Sequence, residues 1–330
     1  GRLRLEQLQP PKPKIWLKNL KAAGLFLIAD LLGGALIGLT IGFAAWQPIQ
    51  GILVGMAMSL ALGLGMALFS NKMLDWITKR RKVSREELPE VYAMVEKRLA
   101  IEKAKTGKTI PMPKIKIVDR ENLMMPPSMA NAFATGLHPR LGQITVTQGI
   151  LRLMDPKTPE GYEALEAVIG HELSHIIDGD IAVNTIGGSL GGILNSISSG
   201  FRKNLFPVRT LAYWWRFAAA SVLTLLGPII STILTLAVGR DRESTADSRS
   251  AWQAGNSDGM IKGLLKLMYG NQMSISSFAP GFAAGALPYL WIAPPSYDDI
   301  QTFSTHPSVW KRIKDLLPYA TPKVRGTVQL

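Results

Sequence analysis

His171-Glu172-Leu173-Ser174-His175 decides how the rest of this chain is read. The five residues lie within 160–178, a stretch that predicts a helix, with Leu165, Ile169 and Ile176 able to bury the side opposite the histidines. In a helix, residues i and i+4 share a face, so His171 and His175 can both reach one metal ion. Glu172 stands one position along, beside that face. There it can take a proton from a metal-bound water without occupying the metal itself. Two solvent-facing histidines on an acidic helix are the plainer alternative, and the apolar opposite side argues against it.

The chain contains no cysteine. Disulfides and cysteine catalysis are therefore excluded, and any metal must be held by histidine and carboxylate. A serine mechanism has no Gly-x-Ser-x-Gly elbow to use. A catalytic zinc needs a third protein ligand and an open position. His138 and His306 are the other histidines, and carboxylates are the other option. Glu243 stands out, in Arg242-Glu243-Ser244-Thr245-Ala246-Asp247, just after a long apolar run. Glu243 and Asp247 repeat the i,i+4 spacing, so one can bind metal while the other accepts a hydrogen bond from a ligand imidazole. The competing reading of Glu243 is a glutamate that only complements a helix dipole.

Outward from these segments the chain is apolar and basic. Of its 330 residues 47% are apolar, and the net charge is +13. Residues 22–46 and 49–69 are two apolar runs, each long enough to cross hydrocarbon as a helix. Trp46, Gln47 and Pro48 join them tightly, which predicts a transmembrane hairpin over 22–70. Gly33, Gly34, Gly38 and Gly42 on one run, and Gly51, Gly55, Ser59 and Gly63 on the other, allow close helix contact. The first run is too long for the apolar core of a signal peptide. Asp30, the charged residue inside it, either serves helix packing or the mouth of the site, or is a charge near the interface. Arg2, Arg4, Lys12, Lys14, Lys18 and Lys21 precede the hairpin; Lys72, Lys79, Arg80, Arg81, Lys82 and Arg85 follow it. Such clusters at the feet of apolar runs are topology signals, and they place both ends in the cytoplasm. No zinc finger, phosphate loop or RNA-binding aromatic pattern accompanies them, so nucleic acid is excluded as a partner.

Residues 217–238 are uncharged and predict another span. Residues 182–201 are apolar but rich in glycine and serine, and could span, re-enter or lie on protein. The basic link between them would lie outside if both spanned, against the charge rule. Four spans with an exception, or two deep spans with a shallow pair, both stay open. Elsewhere the pattern predicts a helix over 84–104 capped by Ser84, and strands over 114–119, 131–136 and 143–147. Residues 240–270 are again helical. Residues 274–295 are apolar but broken by proline and glycine, suiting a lid or a loop resting on the bilayer. A short helix over 307–317 and a tail of about ten residues end the chain. The expected units are a basic segment (1–21), the hairpin (22–70), a first catalytic half (71–181), the second apolar pair (182–239) and a second catalytic half (240–330).

The chain resembles the HtpX family of membrane metalloproteases and, more distantly, the CAAX prenyl proteases. The likeness covers most of the chain. It rests on the hairpin, Asn131-Ala132-Phe133-Ala134-Thr135-Gly136, the His171–His175 helix, the 242–247 segment and Ser304-Thr305-His306-Pro307. The resemblance implies an α+β membrane protein: the hairpin, a gluzincin-like protease domain with a small mixed sheet, and an apolar helical pair inserted between the zinc-binding helices. It implies one zinc ion with Glu243 as third ligand, and Asp247 orienting His171 or its partner. Asn131, Ala132, Phe133 and Ala134 would form an edge strand that binds the substrate backbone, Phe133 lying in the core beneath it. His306 would stabilise the transition state, with Arg312 following it at the site. The segment 182–216 is more glycine-rich and basic than the family pattern, and 274–295 is longer.

The expected activity is that of a zinc endopeptidase in which Glu172 activates the water. Its expected setting is the inner membrane of the cell, multi-pass, with the catalytic domain facing the cytoplasm. Its expected partners are the lipid bilayer and unfolded or misfolded membrane proteins. The alternatives are an intramembrane or CAAX-type zinc protease, or a membrane scaffold with structural zinc. The carboxylates crowding 160–178 weigh against a site inside hydrocarbon.

Overall fold

The computed structural model describes residues 46–122, 126–182, 185, 240–275 and 308–328, with further positions between 24 and 42. Most of the second apolar pair, nearly all of 274–295, and His306 lie outside the described residues.

Pro48 opens helix α1 (Pro48–Thr78) at a position where its missing N–H costs nothing. Pro48–Gly65 is, among the described residues, the one helical stretch long and apolar enough to cross a membrane. One face of α1 is glycine. Helical positions 30–35, 38, 39 and 42 lie against it. A Cβ on Gly38 would overlap the Gly51 carbonyl, and one on Gly42 would stand 3.0 Å from Gly51 Cα. Only hydrogen at these positions lets the two backbones meet. Ser59 Oγ, on the same face, donates to the Asp30 carbonyl at 3.0 Å. On the other face Leu53, Leu62, Leu64 and Leu68 are more than half exposed.

The expected boundary at residue 70 falls inside α1, which continues to Thr78. Past Ser70 its side chains find polar partners in the sheet. Asp75 accepts from Arg80 Nε at 2.5 Å and from Lys116 Nζ at 2.6 Å. Arg80 reaches on to Thr135 Oγ1 and Thr145 Oγ1 at 3.0 and 3.1 Å.

Strands β1 (Arg81–Lys82), β2 (Lys114–Val118), β3 (Ala132–Thr135) and β4 (Gln143–Thr147) form one sheet in the order β1-β2-β4-β3. The β2–β4 pair is parallel and the other two are antiparallel, so the sheet is mixed and β3 is an edge. Helix α2 (Pro89–Thr106) begins later than its pattern predicts. Pro89 is its first residue, because a proline inside a helix lacks the N–H and clashes with the preceding turn. Ser84 closes that turn with its carbonyl, 3.3 Å from the amides of Glu87 and Leu88, and caps no helix.

After β4 come α3 (Gln148–Leu153) and α4 (Pro159–Asp178), then α5 (Arg240–Ala254), α6 (Asp258–Ile275), α7 (Val309–Leu316) and α8 (Pro322–Thr327). The region predicted as one helical stretch over 240–270 is two helices, turned at Gly255. The expected C-terminal tail is folded as far as α8. Val324 is buried there, and Thr321 donates to the Asp258 carboxylate through N and Oγ1 at 2.8 and 2.6 Å. Helix α4 runs through the core. Leu165, Ile169, Leu173 and Ile176 are wholly buried in one cluster with Met94, Ile144, Leu264 and Ile313. Each such side chain contributes about 1.5–3 kcal/mol. Four of its carboxylates are paired: Glu160 with Lys266, Glu163 with Lys262, Glu166 with Arg98 and Asp178 with Arg249.

Candidate metal centre

Thr158 starts α4 by accepting the Gly161 amide on Oγ1 at 3.1 Å, with Pro159 in the first turn. Gly170 then admits α5. A Cβ there would stand 2.9 Å from Ser250 Oγ and 3.0 Å from Arg98 Cζ, and Ser250 Oγ donates to the Ala167 carbonyl at 2.7 Å. From this contact α5 runs antiparallel along α4. Ser250 meets Ala167, Asp247 meets His171, and Glu243 meets both histidines. Glu243 lies two turns before Ser250, so the close approach at Gly170 sets where its carboxylate falls.

His171 Nε2 and His175 Nε2 are 3.2 Å apart. Glu243 Oε2 is 3.4 Å from the first, and Oε1 is 3.5 Å from the second. These three residues form a buried group that could hold a metal ion. Donors at zinc–ligand distances around a tetrahedral ion stand about 3.3 Å apart, so the triangle fits zinc. The imidazole-rich donor set favours it as well, since magnesium and calcium prefer oxygen.

On the far side of its ring, His171 Nδ1 is 2.8 Å from Asp247 Oδ1. Arg312 grips that carboxylate with a fork, Nε to Oδ2 at 2.7 Å and Nη2 to Oδ1 at 2.6 Å, and its Nη1 lies 3.8 Å from Glu243. Burial pushes Asp247 up, but Arg312 and His171 overcome it and hold the carboxyl at about 2. Burial pushes His171 down, yet Asp247 and Glu243 carry it up to about 9. His175 is raised in the same way by Asp180 and Glu243 against burial. Metal entry must therefore displace protons. Burial raises Glu172, which is nearly inaccessible and hydrogen-bonded by the Ala134 backbone N–H.

Strand β3 borders Glu172. Thr147 N donates to the Asn131 carbonyl at 3.0 Å and Phe133 pairs with Thr145, so alternate residues face β4. The N–H and C=O groups of Ala132 and Ala134 point the other way. Phe133 is buried under the Arg80 guanidinium, 5.8 Å from its ring. The structure thus brings together His171, Glu172, His175, Glu243, Asp247 and Arg312, with β3 alongside. His138 does not join them. It is exposed and accepts the Arg140 amide. Sequence reasoning missed Asp180, which lies near His175 Nδ1. Its one signal is the helix-stopping Gly179 just before it.

Two imidazoles one turn apart, a carboxylate from a second helix, and a buried glutamate beside the edge strand of the sheet define a metallopeptidase class. The comparisons with known proteins agree. Residues 93–320 match peptidase family M48. A "Protease HtpX homolog" of Pelotomaculum thermopropionicum is 33% identical over 92% of this chain and 97% of its own length. Those of Thermodesulfovibrio yellowstonii and Pyrococcus furiosus are 34% and 31% identical, over 81% and 89% of this chain and 88% and 95% of their own lengths. The chain belongs to peptidase family M48 and, within it, to the HtpX metalloproteases. No solved structure matches it significantly.

Proposed function

We propose that this chain is a zinc endopeptidase anchored in the inner membrane of the cell, cutting misfolded or damaged membrane proteins in segments that reach the cytoplasm. The observation that carries the reading is the His171–His175–Glu243 triangle, with edges of 3.2–3.5 Å. These three residues would hold the zinc. When bound, zinc polarises the scissile carbonyl and acidifies water. Glu172 accepts the water proton and returns it to the leaving amine, a role suited to a carboxyl whose pKa burial has raised. Asp247 and Arg312 hold the His171 ring with Nε2 turned to the site. The peptide lies along β3 as an added strand, reading the outward groups of Ala132 and the Ala134 carbonyl, while the Ala134 N–H holds Glu172. Asn131, whose main chain is bonded to Thr147, would contribute through its carboxamide. His306, by the family resemblance, would steady the oxyanion. Strand addition reads mostly main chain, which suits broad specificity.

The exposed leucines of α1 and the basic residues after it support membrane anchoring with the catalytic part in the cytoplasm. The ion pairs along α4 favour a site outside hydrocarbon over an intramembrane one. The test is Glu172→Gln in detergent-purified protein. Cleavage of an unfolded substrate such as casein should fall by about 10²–10⁴-fold, while one zinc per chain remains by elemental analysis. Normal cleavage by that variant, or a wild-type protein that takes up no zinc, overturns the reading.

A further inference from the structure

His171 is backed by a carboxylate that is itself held by an arginine. His175 has a counterpart that neither its spacing nor its family resemblance brought forward. Helix α4 ends at Gly179, which takes the left-handed conformation with φ +75, and the chain folds back on the last turn. The Gly179 amide donates to the Ile176 carbonyl at 3.2 Å and the Asp180 amide to the His175 carbonyl at 2.9 Å. This turn carries the Asp180 side chain underneath His175. Asp180 Oδ2 lies 3.6 Å from His175 Nδ1, and Asp180 Oδ1 lies 3.5 Å from Arg242 Nη1. All three residues are at most 6% exposed. Among the described residues, His175 Nδ1 and Arg242 Nη1 are both buried without a partner at hydrogen-bond distance, and both face the same carboxylate. The nearby Asp178 is engaged elsewhere, with Arg249.

We propose that Asp180 and Arg242 form a second orienting pair, in which Asp180 accepts the His175 Nδ1 proton and Arg242 holds Asp180 in place. The inference rests on the metal reading above. It makes Asp180 a positioning residue that keeps the His175 Nε2 lone pair turned to the ion and strengthens it as a donor. Arg242 also precedes Glu243 on α5, so the pair ties the end of the two-histidine helix to the start of the helix bearing the carboxylate ligand.

The test is metal affinity, measured on the full chain in detergent with Zn²⁺ against a chromogenic chelator and with Co²⁺ by its visible d–d bands. Asp180→Asn should weaken Zn²⁺ binding by about 10–100-fold and shift the Co²⁺ bands, while the metal-free thermal midpoint stays near wild type. Arg242→Gln should give a smaller loss, and Arg242→Lys should recover part of it. Zn²⁺ affinity within twofold of wild type and an unmoved Co²⁺ spectrum in Asp180→Asn overturn the proposal. If that variant does not fold, Arg242→Gln decides by the same criterion. His171→Ala separates the two readings. Should it bind Zn²⁺ as tightly as wild type, the metal site itself is misplaced; should it lose Zn²⁺ while Asp180→Asn keeps it, only the orienting pair fails.

Discussion

Helices α1 and α4 are both largely apolar, and both carry glycine where another helix comes close, yet they meet opposite surroundings. In α1 the leucines point outward and the glycines inward, onto neighbouring backbone. In α4 every residue from Ala164 to Asp178 is buried, charged ones included; Glu166 and Asp178 are matched by arginines from other elements, and Glu172 by the Ala134 backbone N–H. An exposed leucine face is stable where its surroundings are apolar. A buried carboxylate is stable only where a partner has been built for it. The amount of apolar sequence therefore says less about a helix than where its polar residues find company.

The contrast can be broken from either side. The largest effect is expected from Arg312→Met, which removes the guanidinium fork from the buried Asp247 charge and leaves it only His171. The metal-free protein should lose about 3–5 kcal/mol in urea unfolding. Asp247 is held at about 2, below its ordinary 3.8, so its contribution is present above that ordinary value and lost as pH falls toward 2. The gap between wild type and variant should narrow over the same interval.

Next, Leu62→Lys on the exposed face of α1 should cost about 3 kcal/mol of insertion. It should lower the membrane-bound fraction on cell fractionation without altering zinc content. Equal membrane recovery would deny that face a lipid neighbour. Gly170→Val should cost about 1–3 kcal/mol, because its side chain meets Ser250 and Arg98. It should also weaken zinc, since it pushes Glu243 off the triangle. Smallest of all is Lys311→Ala, which removes an exposed pair with Asp315 worth less than about 0.5 kcal/mol. Its thermal midpoint should match wild type.

How much of this was readable beforehand follows the range of the interactions. The α4 pattern, the i,i+4 relation of Glu243 and Asp247, and strand β4 are local, and they stood in the sequence. Ser84 misled because it has the chemistry of a cap, while Pro89 outranks it as a helix start. The C-terminal fold escaped notice because Thr321 is held by Asp258, far away in the chain. Asp180 and Arg242 are separated by the whole second apolar stretch, so no window of sequence shows them as neighbours. Arg80 read as one basic residue among six at the foot of an apolar run. In the structure it is buried and bonded to two strands.

The unbroken run of α1 from its apolar window into the sheet makes it a ruler. Leu68, the last of the exposed leucines of α1, stands seven residues before Asp75, which is bolted to Arg80 and Lys116, about 10 Å along the axis. With no hinge in that distance, the height of the cleft above whatever surrounds the leucines is a fixed length. On the proposed anchoring, a polypeptide would have to stand clear of that surface by several residues before it could be reached, and lengthening the ruler by a turn would change which chains are long enough.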